Sequence, residues 1–149
     1  MAHRMPHSQT LALYQWLAFV TAVVYLAVGV AGFFVTGPEG FAQPDNGQRL
    51  FGLTIDNLHN VVHLSTGFLG VIMWSGAGRA RAFGWSIVVG HGTLFVHGLI
   101  AVNNPEIDSF HINVAGRWLH ILSVVAGLTI ALWPDRGADA TSPRSRPAM

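Results

Sequence analysis

The sequence predicts an all-α integral membrane protein, a bundle of four transmembrane helices, on three observations. The chain is 51% hydrophobic and only 10% charged over 149 residues, against roughly 25% charged in an ordinary soluble domain. Its apolar residues fall into four long runs separated by glycine, proline and asparagine turn signals. Most of the 17 glycines lie inside those runs, where membrane helices use small residues to approach one another closely.

Taken in order, residues 1–10 read as a short polar leader carrying His3, Arg4 and His7. Leu11 to Val35 follows without a charge. At 1.5 Å per residue its 25 or so positions exceed the roughly 30 Å hydrocarbon core, so it predicts a spanning helix, too long for the apolar region of a cleaved signal peptide. Gly37 to Asp56 reads as a loop, with turn signals at Gly37-Pro38, Gln43-Pro44 and Asp45-Asn46-Gly47. Phe41 and Leu50-Phe51-Gly52-Leu53 are too apolar for a solvated linker and are expected at the headgroup level or capping the helices. A second helix is expected over 57–74, then a tight return through Ser75 to Arg79. A third over 82–102 is stopped by Asn103-Asn104-Pro105, because proline removes a backbone donor and disfavours helix before it. After the short loop Glu106 to His111, a fourth helix is expected over 113–133, ended by Pro134. The membrane domain is thus residues 11–134, and residues 135–149, with three arginines and two prolines, read as a disordered tail.

Orientation follows from the arginines and tryptophans. Arg4, Arg79, Arg81, Arg136, Arg144 and Arg146 gather on one side, and Glu39, Asp45, Asp56, Glu106 and Asp108 on the other. The positive-inside rule makes the arginine side cytoplasmic, with both termini inside a multi-pass protein of the inner (cytoplasmic) membrane. Trp16, Trp74, Trp85 and Trp133 fall at the same ends of the four helices, as an interfacial aromatic belt requires.

The candidate site lies at the opposite ends. Asp56, Asn57, His59, Asn60 and His63 open the second helix, and Arg117-Trp118-Leu119-His120 echoes them in the fourth. Residues four apart share a helix face, so His59, Asn60 and His63 form a polar patch. Counted inward from the helix ends, His63, His97 and His120 each fall about 10 Å deep, predicting one imidazole layer with His59 a turn above. Asn57, Thr93 and Arg117 lie within reach of that layer. His91 is expected near the midplane on another side of its helix. Ionisable groups inside a membrane face a bundle interior and mark function, although histidine and asparagine also serve as interhelical hydrogen-bond partners. A metal ion held by His59, His63, His97 and His120, a haem b between facing histidines, and proton passage stand beside that structural role. The two polar-headed helices, each with Leu-His near one end and tryptophan at the other, fit a duplicated helical hairpin.

Leu50-Phe51-Gly52, then Asn57-Leu58-His59-Asn60-Val61-Val62-His63-Leu64 with Gly67 and Gly70, and later Asn113, Trp118-Leu119-His120 and Gly127, resemble the small actinobacterial membrane proteins grouped as domain of unknown function 4383. The resemblance runs from about Tyr14 to Trp133. It implies a four-helix inner-membrane protein and carries no activity. Gly116-Arg117 stands where an acidic residue and asparagine are expected.

Several function classes find no support in these residues. The chain has no cysteine, no lysine for a phosphate loop, no serine-nucleophile motif and no pair of embedded carboxylates. The net charge of +1 argues against nucleic acid. The expectation is therefore a non-enzymatic membrane protein without a cofactor, whose surroundings are the lipid bilayer and other membrane proteins or copies of itself. It would act as an accessory or assembly partner of a larger complex. A metal- or haem-binding protein is the alternative, with a small transporter subunit behind it.

Overall fold

The computed structural model describes residues 11–38 and 47–134. The leader, Phe41 and the tail lie outside these, as do Arg4, Glu39, Asp45, Arg136, Arg144 and Arg146. Four helices form an all-α membrane bundle: α1 (Leu13–Thr36), α2 (Asn57–Met73), α3 (Ala77–Ala101) and α4 (Val114–Leu132). Three of them, α1, α3 and α4, are long and apolar enough to cross a membrane, with mean hydropathies of 2.3, 1.4 and 1.5. The shorter α2 rises about 25 Å and devotes its first turns to polar residues.

The bundle places apolar side chains outward. Val20, Val24, Phe34, Phe68, Val89, Leu122 and Val125 are all exposed, a belt that water would penalise and lipid accepts. The interior instead collects small and polar residues. The inward stripe of α1 is Ala18, Ala22, Tyr25, Gly29 and Gly32, and that of α3 is Ala80, Gly84, Ile87, His91, Leu94, Gly98 and Ala101. Both step by three and four residues, as one helix face does. Small residues bring backbones together: a Cβ on Gly127 would sit 2.7 Å from the Gly84 carbonyl oxygen, and one on Gly67 only 2.6 Å from the Leu26 nitrogen. At the tryptophan end, Tyr14, Ala18, Ala22, Ala80, Phe83, Ile87 and Ile130 form a dry cluster.

Local chemistry sets the helix ends. Asp56 caps α2 by accepting from the His59 N–H at 2.8 Å, and Asn113 caps α4 by accepting from the Gly116 N–H at 2.8 Å. At the start of α1 the Gln15 side chain accepts from the Ala12 N–H at 2.9 Å and donates to the Ser75 carbonyl at 2.8 Å, tying α1 to the α2–α3 turn. The third helix starts at Ala77, one turn earlier than the sequence suggests, so Arg79 and Arg81 belong to its first turns and the return shrinks to Trp74 to Gly76. There Arg81 finds partners on the neighbouring helices: it donates to the Trp133 carbonyl at the end of α4 at 2.8 Å and lies 5.0 Å over the Tyr14 ring of α1. These contacts, with the Trp16 ring packed at a tilt 5.4 Å from that of Trp74, gather arginine and tryptophan at one end of the bundle.

The opposite end is roofed by a small hairpin absent from the sequence reading. Strand β1 (Arg49–Leu50) pairs antiparallel with β2 (Leu53–Thr54). Phe51 and Gly52 between them both have positive φ, 52° and 84°, as a two-residue hairpin turn of the primed type needs. Asn113 donates to the Gly52 carbonyl at 2.8 Å, fixing the hairpin to the start of α4. A 3-10 turn (Pro105–Ile107) follows α3.

The two halves repeat one design. The hairpin of α1 and α2 packs like that of α3 and α4, and each second helix begins with a side-chain cap, carries a buried histidine two turns later (His63, His120) and a close-packed glycine two turns beyond that (Gly70, Gly127). One turn after the cap, Asn60 presses on Gly32 of α1 as Arg117 presses on Gly98 of α3. By the same alignment Tyr25 and His91 occupy equivalent places.

Candidate functional site

The equivalent positions of the two halves meet at the centre of the bundle. His63, His91 and His120 are at most 2% exposed, and Tyr25 is 5% exposed. His91 and His120 face each other Nδ1 to Nδ1 at 3.0 Å. The Tyr25 hydroxyl lies 3.4 Å from the same His91 nitrogen and is hydrogen-bonded to Ser123. The Tyr25 ring also packs on His63, centroids 5.4 Å apart.

Counting protons orders this network. Ser123 donates its only proton to the Leu119 carbonyl at 2.7 Å, so its oxygen accepts from the Tyr25 hydroxyl. Tyr25, having spent its proton, can only accept from His91. The Nδ1–H of His91 therefore serves both the Tyr25 oxygen and the bare Nδ1 of His120. Each of these two rings carries its other nitrogen without a partner: Nε2 of His91 is a lone pair and Nε2 of His120 an N–H. Neither nitrogen of His63 has a partner, nor does the Asn60 side-chain oxygen.

A path leads from this cluster to the hairpin end of the bundle. The His59 ring lies stacked over His120 with centroids 6.4 Å apart, and its Nδ1 is 3.2 Å from Asp56 Oδ2. The same carboxylate oxygen lies 3.7 Å from His111 Nδ1. Both are close approaches of a ring nitrogen to a carboxylate oxygen that fall short of well-directed hydrogen bonds. Burial pushes the Asp56 carboxyl upward, but the His59 ring, the His59 backbone N–H and His111 together outweigh it and leave its pKa below the usual value of 3.8. Below Tyr25 the path stops at the dry cluster.

Of the sequence-predicted residues, the structure brings together Asp56, His59, His63 and His120, with Asn60 beside them. His97 is a correction: it is not in the imidazole layer. Six residues separate it from His91, which turns it about 240° around the helix, and it sits near the surface 3.8 Å from Asp108 with its ring against Phe110. His91, expected on another side, takes its place, since the inward stripe of α3 runs through Ile87, His91 and Leu94. Arg117 points to α3, donating to the Gly98 carbonyl at 3.3 Å. Asn57 accepts from the Thr36 hydroxyl, which also accepts from Asn60 at 3.0 Å, so both asparagines clamp the end of α1. Thr93 turns its hydroxyl back to the Val89 carbonyl. Tyr25 and Ser123 were missed; the small-residue stripe around Tyr25 was the signal that it faces inward. Among the described residues no group of three or more histidine, aspartate or glutamate side chains is placed to hold a metal ion.

A cleft of about 480 Å³ lies between α2 and α3, with His91 in its wall beside Val62, Thr66, Leu69, Gly90 and Phe110.

No curated protein and no solved structure matches this chain. The profile of the family described as domain of unknown function (DUF4383) matches residues 15–133, which takes in all but the first two residues of α1, the other three helices, the hairpin and the buried residues Tyr25, His63, His91, His120 and Ser123, and the chain belongs to that family.

Proposed function

We propose that this is a non-enzymatic accessory protein of the cytoplasmic membrane, with both termini inside, that carries protons between the outer face and the middle of the bilayer. The observation that carries the reading is the chain of titratable groups Asp56, His59, His120, His91 and Tyr25, ending against an apolar cluster. An imidazole accepts a proton at one nitrogen and releases one from the other, which suits His120, whose bare Nδ1 accepts from His91 while its Nε2 holds a proton to release; Tyr25 accepts from the same His91 nitrogen and marks the end of the path. The step from His59 to His120, whose stacked rings lie 6.4 Å apart, needs one of the rings to turn. Because the path is blind, it supports exchange with a site at mid-membrane rather than conduction across, which is the role of a small subunit in a larger assembly.

The test is hydrogen–deuterium exchange at the imidazole N–H groups, followed by nitrogen NMR on histidine-labelled protein in lipid nanodiscs. The His91 and His120 N–H signals should vanish at least tenfold faster in the wild type than in His59→Phe, which keeps the ring and breaks the path. Equal rates would overturn the reading. So would a stoichiometric metal or a haem absorption band in the purified protein that is lost on exchanging His63 or His120.

A further inference from the structure

We infer that Arg117 binds the phosphate of a phospholipid in the leaflet at the hairpin end of the bundle. Among the described residues no carboxylate pairs with this guanidinium. Asp108, in the loop that leads into α4, is turned instead to His97 at 3.8 Å and to the Ile112 N–H at 3.3 Å. Arg117 donates to the Gly98 carbonyl at 3.3 Å, a long contact. A guanidinium has five N–H donors, so a carbonyl near the end of α3 satisfies one of them and leaves the charge without a counter-ion.

The repeat between the two halves shows what is missing. In the first half Asn60 presses on Gly32 and donates to Thr36, four residues beyond that glycine, at 3.0 Å. In the second half the stem of Arg117 presses on Gly98, and the residue four beyond that glycine is Val102. Its side chain accepts no hydrogen bond and is 58% exposed. The polar side chain is thus longer and charged at the very place where its acceptor is lost, and that place opens to the surroundings. An acceptor from outside the chain completes the pattern.

Depth and neighbours select the ligand. The 19 residues of α4 rise about 28 Å, close to the roughly 30 Å hydrocarbon core. Arg117 lies in the first turn of α4 and Gly98 in the last turn of α3, so the guanidinium sits where the core gives way to headgroups, the layer that holds lipid phosphates. Phosphate oxygens match the guanidinium fork and form charge-assisted hydrogen bonds of about 2.7–2.9 Å. Beside it along the two helices, Val102, Val114 and Trp118 are 58, 61 and 63% exposed, an apolar flank for acyl chains with an indole at the interface. An anion that carries apolar chains matches both features, whereas a free anion matches one. No group of the buried cluster takes part, so this inference is independent of the proton reading.

The test is native mass spectrometry of the full chain in mild detergent, titrated with dioleoyl phosphatidylglycerol. Arginines at the other end of the bundle also attract anionic lipid, so the result is read as a difference. The wild type should hold one more tightly bound phosphatidylglycerol than Arg117→Gln, whose amide can still donate to the Gly98 carbonyl. Val102→Asp, which supplies the acceptor from within the chain at an exposed position, should lose the same lipid. Dioleoylglycerol, with the same chains and no phosphate, should bind at least tenfold more weakly, and inorganic phosphate at equal concentration should not displace the lipid. An unchanged lipid count in either folded variant would overturn the inference. Equal binding of dioleoylglycerol, which needs no variant, would overturn it too, as would displacement by inorganic phosphate, which marks a site for a free anion.

Discussion

His91 and His120 meet Nδ1 to Nδ1 at 3.0 Å across the interface of α3 and α4, with a single proton between them donated by His91. Breaking either side strands the other ring in a dry interior. His91→Ala and His120→Ala should each lower stability by about 1–3 kcal/mol, and the double variant should lose clearly less than the sum. His97→Ala should cost less than about 0.5 kcal/mol. Unfolding in a mixed-detergent titration checks all four; additive losses would show that the two rings are energetically independent.

Gly127 and Gly90 should respond in opposite directions to the same change. Gly127→Ala forces a methyl to within 2.7 Å of the Gly84 carbonyl oxygen, so the helices must separate at a cost of about 1–3 kcal/mol or more. Gly90→Ala meets open space and should be neutral or stabilising by about 0.4–1 kcal/mol. Thermal melting of the two variants beside the wild type is the measurement.

Asp56 makes stability depend on acid. Its pKa lies below the ordinary 3.8 in the folded chain, so the unfolded state takes up its proton first as pH falls. The stabilisation is complete well above pH 4 and disappears as pH drops through the folded value. The groups facing it are His59 from α2 and His111 from the α3–α4 loop. Asp56→Asn, which still caps the helix, should have a lower melting temperature at pH 6 than the wild type, and the gap should close toward pH 3. A constant gap would place the effect in packing rather than charge.

Topology is testable by thiol labelling. Cysteines introduced at the exposed positions Ser109 and Gly78 should react from opposite sides of the membrane, Ser109 from outside intact cells and Gly78 only after permeabilisation. Ala80 is unsuitable as a reporter because α3 buries it. Labelling of Gly78 from outside would invert the orientation.

The number and order of the helices were legible because long apolar runs and proline stops act locally. Half of the site was legible too: the His59, Asn60 and His63 spacing declares a face, and their polarity declares that the face is inward. His91 was misplaced because depth counted from the helix ends picked His97 as the inward residue, and the rotation between the two then turned His91 away; the stripe Ala80, Gly84, Ile87, Leu94, Gly98 would have pointed inward through His91. Tyr25 looked like one aromatic residue among many apolar ones, since only tertiary contact with Ser123 and His91 gives its hydroxyl a purpose. The hairpin at Phe51-Gly52 was hidden because phenylalanine is a poor advertisement for positive φ.

The matching halves described above put Tyr25 where the other half has His91. Had both places held histidine, the centre would read the same from either hairpin, and a proton arriving there would have no preferred way to go. With tyrosine on one side, whose hydroxyl is tied down by Ser123, the network has a grain: it starts at His91 on α3 and both its arms end on α4, one directly at His120 and the other through Tyr25 at Ser123. A fused pair of similar hairpins can thus do what a symmetric dimer of one hairpin cannot, because fusion lets a single letter differ between the halves and gives the centre a direction.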